Sequence, residues 1–536
     1  MNEDISSATR PLPADIECRT PLQLLARNAT LYPNKLAIVA ESCTGTQVSL
    51  TYSALAWHVD KAAETLRGAG LSRGEHLGIL LTNASALEYL CLAFGAMRLG
   101  GVVVPLNARF ADRELVAAIE DMDCVALAYG KEFAARVSAF IPTLAVAPRL
   151  RIQVGAGADG DALDWQTLMD AGRADRSGFP EVGEDDLADL LLTSGTTGRS
   201  KGVMLTHGNA VATGVAVAGG LSLRPDDIYQ SPFPLFTSSG FHFNIMATWW
   251  AGATLVIEPG VDVEATLARM TRERTTVYCA VPAVYIFMLE RYTAGIHDLS
   301  AMRVFDYGGA PMAREVIRKL ADTFPHVELR QTYGLTEAGP SGTFLAGCDA
   351  IGKLGSIGTA MPLCETTVRK SDLSHAKPGE TGEIVMRGPT VMQGYYKRPE
   401  ETAKSLHDGW LWTGDLATLD EDGYIFYLDR NKDVIIRGGF NISSMEVENA
   451  IFEHPDVKEA AVVSIPHDKL GEDLCVFVVG REGAVLDAEE LTAFCKVRIA
   501  DYKVPRRWTF VSELPRNPTG KILKNKLREQ ARGLNA

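Results

Sequence analysis

The sequence lacks the features of an extracellular or membrane-spanning chain. Its 9 cysteines form no C-x-x-C pair or framework spacing, which argues against disulfides and structural zinc and favours reduced thiols in a cytosol. The longest apolar run, residues 277–289, contains Pro282 and falls short of the roughly 20 residues that span a bilayer. The N-terminus is acidic and polar, whereas a secretory signal needs a basic start and an apolar core. We therefore expect a cytoplasmic protein with no integral membrane segment.

Basic charge is also scarce. The chain carries 53 Lys and Arg residues against 67 Asp and Glu residues, for a formal net charge of −14. Nucleic-acid-binding surfaces need clustered basic side chains, so we expect no nucleic-acid partner. A polyanionic substrate must therefore be held by local rather than overall charge. A homodimer is compatible with this composition.

The length of 536 residues is too great for one core and predicts about two to four domains. From Leu22 onward, helical patterns alternate with short apolar strands, which predicts stacked α/β layers. Two polar, glycine-containing stretches, residues 155–161 and 171–186, predict a subdomain break, and a helix is expected to open at Asn209. From about Asp433, mixed strands and helices predict a compact α+β unit of roughly one hundred residues.

A glycine- and hydroxyl-rich loop follows a strand predicted at residues 190–193. Its glycines let backbone N–H groups approach an anion, its hydroxyls add donors, and its lysine adds full charge, so the loop suits a triphosphate. The ordinary nucleotide-triphosphatase loop has Ser or Thr directly after its lysine, whereas Gly202 follows Lys201 here. The candidate phosphate-binding residues are Thr193, Ser194, Gly195, Thr196, Thr197, Gly198 and Lys201.

The pattern T-S-G-T-T-G-x-x-K-G in this loop is the signature of the adenylate-forming ligases, and the chain resembles their acyl-CoA synthetase branch over about residues 22–527. The resemblance implies an α/β fold with a large N-terminal domain of stacked α/β layers and a small, mobile C-terminal α+β domain. We place the N-terminal domain at residues 1–429, a hinge at residues 430–432 and the C-terminal domain at residues 433–536.

Three further motifs complete a candidate nucleotide site. Gly308-Gly309-Ala310-Pro311 presents bare backbone suited to a purine face, which Tyr333 could cover by stacking. In Tyr333-Gly-Leu-Thr-Glu337, the resemblance implies that Thr336 contacts phosphate and Glu337 holds magnesium, a hard cation that takes carboxylate oxygen. Asp415 and Arg430 resemble the family's ribose-binding pair. The same resemblance adds Gln331, Thr332 and Gly334.

The C-terminal motifs carry the remaining chemistry by resemblance. Lys432 matches the position about which the C-terminal domain pivots, and Gly438 and Gly439 match the segment that lines the coenzyme A thiol tunnel. Two prolines and Gly520 hold a rigid loop that places Lys521 at its tip. Lys521 matches the catalytic lysine, expected to bridge the acid's carboxylate and an α-phosphate oxygen.

The acyl pocket is predicted around residues 236–243. Thr237 stands where family members often have a histidine gate; His242 could replace it, although a packed histidine is the favoured interpretation. A neutral Thr237 could not pair with an α-ammonium, which disfavours an amino acid substrate. Small residues beside aromatic walls favour a medium-chain, cyclic or aryl acid. The candidate substrate-binding residues are Phe236, Thr237, Ser239, Gly240, Phe243 and Gly339.

Together these motifs predict an AMP-forming acid–CoA ligase with ATP, Mg2+ and coenzyme A. The acid would attack the α-phosphorus of ATP, releasing pyrophosphate, and coenzyme A would then take the acyl group from the adenylate. Two alternatives stay open: a ligase that loads a separate carrier protein, and a non-catalytic nucleotide-binding relative.

Overall fold

The computed structural model describes residues 8–158, 160–172, 178–193, 199–430, 433–467, 469–516 and 522–533. Its first part alternates strands with helices whose starts are set by side-chain caps: Thr51 accepts a hydrogen bond from Ala54 N at the start of the second helix. In chain order this part contains α1 (Pro21–Leu31), β1 (Leu36–Glu41), β2 (Gln47–Thr51), α2 (Tyr52–Gly68), β3 (His76–Leu80), α3 (Ala86–Arg98), β4 (Val102–Pro105), α4 (Asp112–Asp121), β5 (Cys124–Gly130), α5 (Ala134–Phe140), β6 (Leu150–Val154), β7 (Leu163–Asp164), α6 (Trp165–Ala171), β8 (Leu187–Thr193), β9 (Lys201–Thr206) and α7 (His207–Leu221).

The middle part continues the alternation with short, fully buried strands, as expected for parallel strands covered on both faces. A π-helical turn, Ser239–Asn244, interrupts the helical pattern before α8. In chain order this part contains β10 (Ile228–Ser231), α8 (Ile245–Ala251), β11 (Thr254–Ile257), α9 (Val263–Glu273), β12 (Val277–Ala280), α10 (Pro282–Arg291), β13 (Val304–Gly308), α11 (Arg314–Thr323), β14 (Glu328–Gly334), β15 (Gly342–Leu345) and β16 (Thr359–Ala360).

The last part is mainly antiparallel, and several of its strands mix buried with partly exposed residues. In chain order it contains β17 (Glu365–Arg369), β18 (Thr381–Arg387), β19 (Gly394–Tyr395), α12 (Pro399–Ser405), β20 (Leu406–His407), β21 (Trp410–Leu419), β22 (Ile425–Arg430), β23 (Ile435–Arg437), β24 (Phe440–Ile442), α13 (Ser444–Phe452), β25 (Val457–His467), β26 (Gly471–Gly480), α14 (Ala488–Lys496), β27 (Arg507–Phe510) and α15 (Lys524–Gly533).

These strands assemble into two large sheets and two smaller ones within the described residues. The first sheet has the order β19-β9-β8-β4-β3-β5-β6-β7, and the second has the order β16-β15-β14-β13-β12-β10-β11-β1-β2. The third sheet joins β17, β18, β21, β20 and β22, and the fourth joins β24, β23, β26, β25 and β27. One continuous apolar core links the first and second sheets, whereas the fourth sheet has separate clusters on its two faces. The predicted class, a large α/β domain with a small C-terminal α+β domain, is confirmed.

Two local predictions are wrong. Strand β8 pairs in parallel with β4, through Val103 and Asp189, so the strands before and after the polar stretches belong to one sheet, which contradicts a subdomain break there. Helix α7 opens at His207 rather than Asn209, because Thr206 caps it and accepts a hydrogen bond from Asn209 N at 3.2 Å. The Asn209 side chain accepts from Thr206 N in return, and this capping box fixes Asn209 inside the first turn.

Candidate active site

The predicted phosphate loop leaves the first sheet between two paired residues. Strand β8 ends at Thr193 and β9 begins at Lys201, and these two residues face each other across the antiparallel pair. The buried Thr193 hydroxyl has no hydrogen-bond partner among the described residues, so it is available to a phosphate oxygen. Seven predicted site residues lie outside the described residues: Ser194, Gly195, Thr196, Thr197, Gly198, Lys432 and Lys521.

Tyr395 connects this loop to the predicted metal-binding carboxylate. The Lys201 ammonium lies 3.9 Å from the centroid of the Tyr395 ring and 3.5 Å from Glu401 Oε2. The Tyr395 hydroxyl donates a hydrogen bond of 2.8 Å to Glu337 Oε1. Burial and the neighbouring Glu337 carboxylate raise the pKa of Tyr395, so it remains a donor at neutral pH. Sequence analysis missed Tyr395, which reaches the site because β19 pairs with β9.

A second hydrogen bond joins the predicted catalytic hydroxyl to the acyl segment, residues 236–243, around which the acyl pocket is predicted. Thr336 lies on a short 3-10 turn after β14, and its hydroxyl is 2.9 Å from the hydroxyl of Ser238. The following Gly339 has a positive φ of 61°, and a Cβ there would lie 2.5 Å from Thr213 Oγ1 of α7. This residue therefore needs to be glycine for backbone and packing reasons, and it holds the turn against α7.

The third sheet places the predicted ribose pair beside the predicted stacking aromatic. Asp415 and Arg430 face each other across β21 and β22, with Arg430 Nε 3.5 Å from Asp415 Oδ1. The Tyr333 hydroxyl donates a 2.6 Å hydrogen bond to Asp415 Oδ2. Burial, followed by the nearby Asp415 charge, raises the pKa of Tyr333 well above its usual value. The structure thus brings residues from two sheets together at one point.

The glycine motif after β13 serves two different purposes. Gly308 ends the strand, and a Cβ there would lie 2.7 Å from the Thr332 carbonyl oxygen, so its glycine permits close strand packing. Gly309 has a positive φ of 75° and is exposed, with Ala310 half-buried and Pro311 exposed after it. The neighbouring strand β14 carries Gln331, Thr332 and Gly334, the first two buried and the last exposed.

The acyl segment begins with a loop that folds back on itself. Thr237 Oγ1 donates to the Pro234 carbonyl at 2.7 Å and accepts from Gly240 N at 3.1 Å, so this hydroxyl is occupied within its own loop. A Cβ on Gly240 would lie 2.1 Å from the same carbonyl oxygen, which explains the glycine. Phe236 and Phe243 are buried, and Ser239 is half-buried. The two hydrogen bonds of the Thr237 hydroxyl therefore close this loop directly before the π-helical turn.

His242 is a packed histidine, as the favoured interpretation expected. It is buried, and its Nε2 lies 2.7 Å from Oδ2 of the equally buried Asp189 on β8. Burial, the largest influence, raises the pKa of Asp189, and the charge of His242 opposes that shift. This contact links the acyl segment to the strand that leads into the phosphate loop.

Among the described residues, the C-terminal domain contacts the large domain next to the predicted hinge and at helix α10. Ser443 Oγ donates to the Leu428 carbonyl at 2.6 Å, and Asp429 Oδ2 accepts from Ser444 N at 2.8 Å. Lys458 lies 3.4 Å from Glu290 on α10. Gly438 and Gly439 form the turn between β23 and β24, with positive φ angles of 59° and 88°.

Comparison with known families decides the assignment. The family model for AMP-binding enzymes matches residues 25–396, and the model for the C-terminal domain of these enzymes matches residues 446–521. The chain belongs to this family. The first matched region contains Thr193, Lys201, Glu337 and Tyr395, whereas Asp415 and Arg430 lie between the two matched regions.

Individual relatives place this AMP-binding enzyme more finely. It is 34% identical over 512 residues to the long-chain-fatty-acid–CoA ligase FadD13 of Mycobacterium tuberculosis, covering 95% of this chain and 97% of the relative. It is 37% identical over 484 residues to a feruloyl-CoA synthase of an Amycolatopsis species, covering 90% and 94%. The ATP-bound MatB structure from Rhodopseudomonas palustris matches with 30% identity and a TM-score of 0.85, over 96% of this chain and 100% of MatB.

These relationships confirm the predicted acyl-CoA synthetase branch of the adenylate-forming superfamily. The enzyme is an AMP-forming acid–CoA ligase, with ATP and coenzyme A as its substrates. Among the described residues, no helix combines the length and the apolar character needed to cross a membrane.

Proposed function

We propose that this ligase activates a medium-chain, cyclic or aryl carboxylic acid, with the residue roles given below. The acyl segment itself combines the small residues Ser239 and Gly240 with the buried rings of Phe236, Phe241 and Phe243, a composition that suits a compact acyl group. Because His242 is paired with Asp189, its imidazole is not free to pair with a second carboxylate on the acyl group. The pairing therefore supports a neutral acyl group.

The contacts of Tyr395 are the observation that carries the proposed roles. They bring Lys201 at the end of the phosphate loop and Glu337 after β14 to one aromatic side chain. In the first step the carboxylate of the acid attacks the α-phosphorus of ATP, and pyrophosphate leaves. Lys201, Thr193 and the loop between them hold the leaving phosphates, Thr336 donates to phosphate, and Lys521 bridges the two reacting anions.

Glu337 fits a magnesium ion that arrives with ATP. Its carboxylate is half-buried and faces a hydroxyl donor, and the described residues contain no cluster of three or more His, Cys, Asp or Glu able to hold a metal alone. Magnesium commonly takes one or two protein carboxylates together with substrate phosphates, and this donor set matches that habit. When bound, the ion neutralises charge on the departing pyrophosphate.

The nucleoside contacts residues of the second and third sheets. Asp415 accepts hydrogen bonds from the two ribose hydroxyls, while Arg430 keeps the Asp415 carboxylate oriented. Tyr333 covers the adenine ring, and the backbone from Gly308 to Pro311 lies against its other face. Strand β14 lies beneath the ring and carries Gln331, Thr332 and Gly334.

In the second step the thiol of coenzyme A attacks the adenylate carbonyl and AMP leaves. The C-terminal domain pivots at Lys432, so that Lys521 withdraws and the turn at Gly438 and Gly439 enters. The acyl group is surrounded by Phe236, Thr237, Ser239, Gly240, Phe243 and Gly339.

We also propose a cytoplasmic location, which the 9 cysteines without disulfide bonds support. We further propose a homodimer, which light scattering of the purified enzyme would test.

Pyrophosphate release tests the proposal. The purified enzyme is incubated with ATP, magnesium and each acid of a panel of carboxylic acids, with and without coenzyme A. A reaction without any carboxylic acid is the control. We expect release with medium-chain, cyclic or aryl acids and thioester formation only when coenzyme A is present. Release that ignores coenzyme A, with transfer to a carrier protein, would instead favour a carrier-loading ligase.

A further inference from the structure

Asp306 on β13 is a buried carboxyl that has no role in the reaction described above. It is 0% exposed, and its Oδ2 accepts hydrogen bonds from the Cys279 thiol at 2.8 Å and from Thr332 Oγ1 at 3.2 Å. Its Oδ1 has no hydrogen-bond partner among the described residues. A buried acceptor without a donor is costly, so this oxygen requires an explanation.

The side chain of Asp306 lies on the face of the second sheet that packs against the acyl segment. Asp306 and Cys279 are neighbours in register on β13 and β12, and side chains alternate between the two faces of a strand. Tyr229 on β10 shares this face, and its hydroxyl donates a 2.9 Å hydrogen bond to Asn244, the last residue of the π-helical turn.

The opposite face of the sheet is filled by a different layer. Tyr285 of α10 packs edge-on against Tyr278 and Phe305, the residues that flank Cys279 and Asp306 in sequence. The Tyr285 hydroxyl donates to the backbone carbonyl of Asp306 rather than to its carboxyl. The carboxyl of Asp306 is therefore separated from this outer layer and directed to the inner one.

The position of Asp306 along its strand points to the substrate. Gly308, two residues further on, shares the same face and ends β13. In open α/β sheets, ligands bind beyond the carboxyl ends of the parallel strands. Asp306 thus lies two residues before the end of β13 at which the nucleotide is proposed to bind, on the sheet face that packs against the acyl segment.

Resting on the proposed function, we propose that Asp306 selects acids whose acyl group carries a hydrogen-bond donor, a hydroxyl or N–H group, away from the reacting carboxyl. Cys279 and Thr332 fix one carboxyl oxygen and leave Oδ1 for the substrate. An acid without the donor leaves this oxygen buried and unpaired, which penalises that substrate selectively. Burial also raises the pKa of Asp306 to about 7, consistent with a carboxyl that lacks its full set of donors.

Matched acids test this selection. The value of kcat/KM is measured by pyrophosphate release for pairs that differ only in a hydroxyl against a methyl group, such as hydroxybenzoic and methylbenzoic acids substituted at each ring position. We expect the wild type to prefer the hydroxylated member of at least one pair by about 10- to 100-fold. In Asp306→Leu the ratio of kcat/KM for the hydroxylated acid to kcat/KM for the methylated acid should fall close to one. Asp306→Asn keeps an acceptor oxygen and should retain part of the preference.

Tyr307→Phe is the matched control, because it removes a buried, unpartnered hydroxyl from the opposite face of the same strand. It should leave the preference unchanged. The proposal would be overturned if the wild type had nearly equal kcat/KM values for the two acids of every pair, and this result does not depend on whether Asp306→Leu folds. It would also be overturned if Asp306→Leu kept the wild-type preference. If no acid releases pyrophosphate, the proposed function itself fails.

Discussion

The Tyr395 contacts and the junction between the domains hold their partners in different ways. Tyr395 joins β9, β19 and the turn after β14 within one large domain whose core runs through two sheets. The junction depends on hydrogen bonds next to the predicted hinge and on the partly exposed pair of Lys458 and Glu290. Such exposed pairs contribute about 0–1 kcal/mol. We therefore expect the nucleotide site to be fixed and the C-terminal domain to exchange its contacts, as the proposed function requires.

The largest effect should come from the C-terminal side of this comparison. Lys521→Ala removes the cation that we propose to bridge acid and α-phosphate, so adenylation should fall by about 10²–10³. Conversion of a supplied acyl adenylate to the thioester should persist, because the proposed function has Lys521 withdrawn at that step. Rapid-quench assays of each half-reaction measure this, and the exposed Lys526→Ala on α15 is the control. Equal loss of both half-reactions would contradict the proposed division.

Tyr395 tests the fixed side. Tyr395→Phe keeps the ring beside Lys201 but removes the donor to Glu337, and we expect adenylation to fall by about tenfold, the cost of one hydrogen bond to a charged group. Tyr395→Leu removes the ring as well and should cost more. The adjacent Tyr396→Phe loses a hydrogen bond to Asp123 instead and should match the wild type. Similar kinetics for the Tyr395 and Tyr396 variants would argue against the network.

Lys458→Ala tests the junction directly. Loss of the contact with Glu290 should change the ratio of adenylation to thioester formation by about twofold, since the pair is partly exposed. The Lys458 ammonium also lies 4.7 Å from the centroid of the Phe287 ring, so Glu290→Gln, which keeps that contact, should have a smaller effect than Lys458→Ala. The double variant should add nothing beyond Lys458→Ala. A change of more than tenfold, seen in single-turnover kinetics, would mean that the junction is as firmly set as the nucleotide site.

The smallest effect concerns stability inside the large domain. Glu258 accepts hydrogen bonds from Gln230 and Thr266, yet burial raises its pKa from 4.5 to about 7. The folded state therefore keeps a proton that the unfolded chain releases, and this stabilisation is complete below pH 4.5 and disappears as the pH rises through 7. Relative to the wild type, Glu258→Gln should gain about 1–2 °C in Tm between pH 5 and pH 8. A constant difference in Tm would contradict this.

The sequence predicted the regular elements well where a local signal sets them. The alternation of helices with short apolar strands, expected from Leu22 onward, is present, for example in helix α2 (Tyr52–Gly68) and strand β11 (Thr254–Ile257). Asp415 and Arg430, which the resemblance paired, do face each other across β21 and β22. The hinge, the domain boundaries and the role of Lys521 stay predictions.

What the sequence could not provide is contact between distant segments. Tyr395 lies in a two-residue strand with no periodic pattern, and only its pairing with β9 brings it to Lys201. The pairing of β8 with β4 likewise contradicted a boundary suggested by polar composition, because local composition does not encode which strands become neighbours. The Asp306 oxygen became visible only when its neighbours were known.

The pairing of β19 with β9 also bears on how the protein is made. A ribosome releases the chain from its N-terminus, so β9 emerges long before Gly394 and Tyr395 exist to cover its outer edge. An uncovered strand edge invites pairing with other chains. The nascent enzyme therefore passes through a stage in which its first sheet is unfinished, and a fragment ending before residue 394 would keep that edge open.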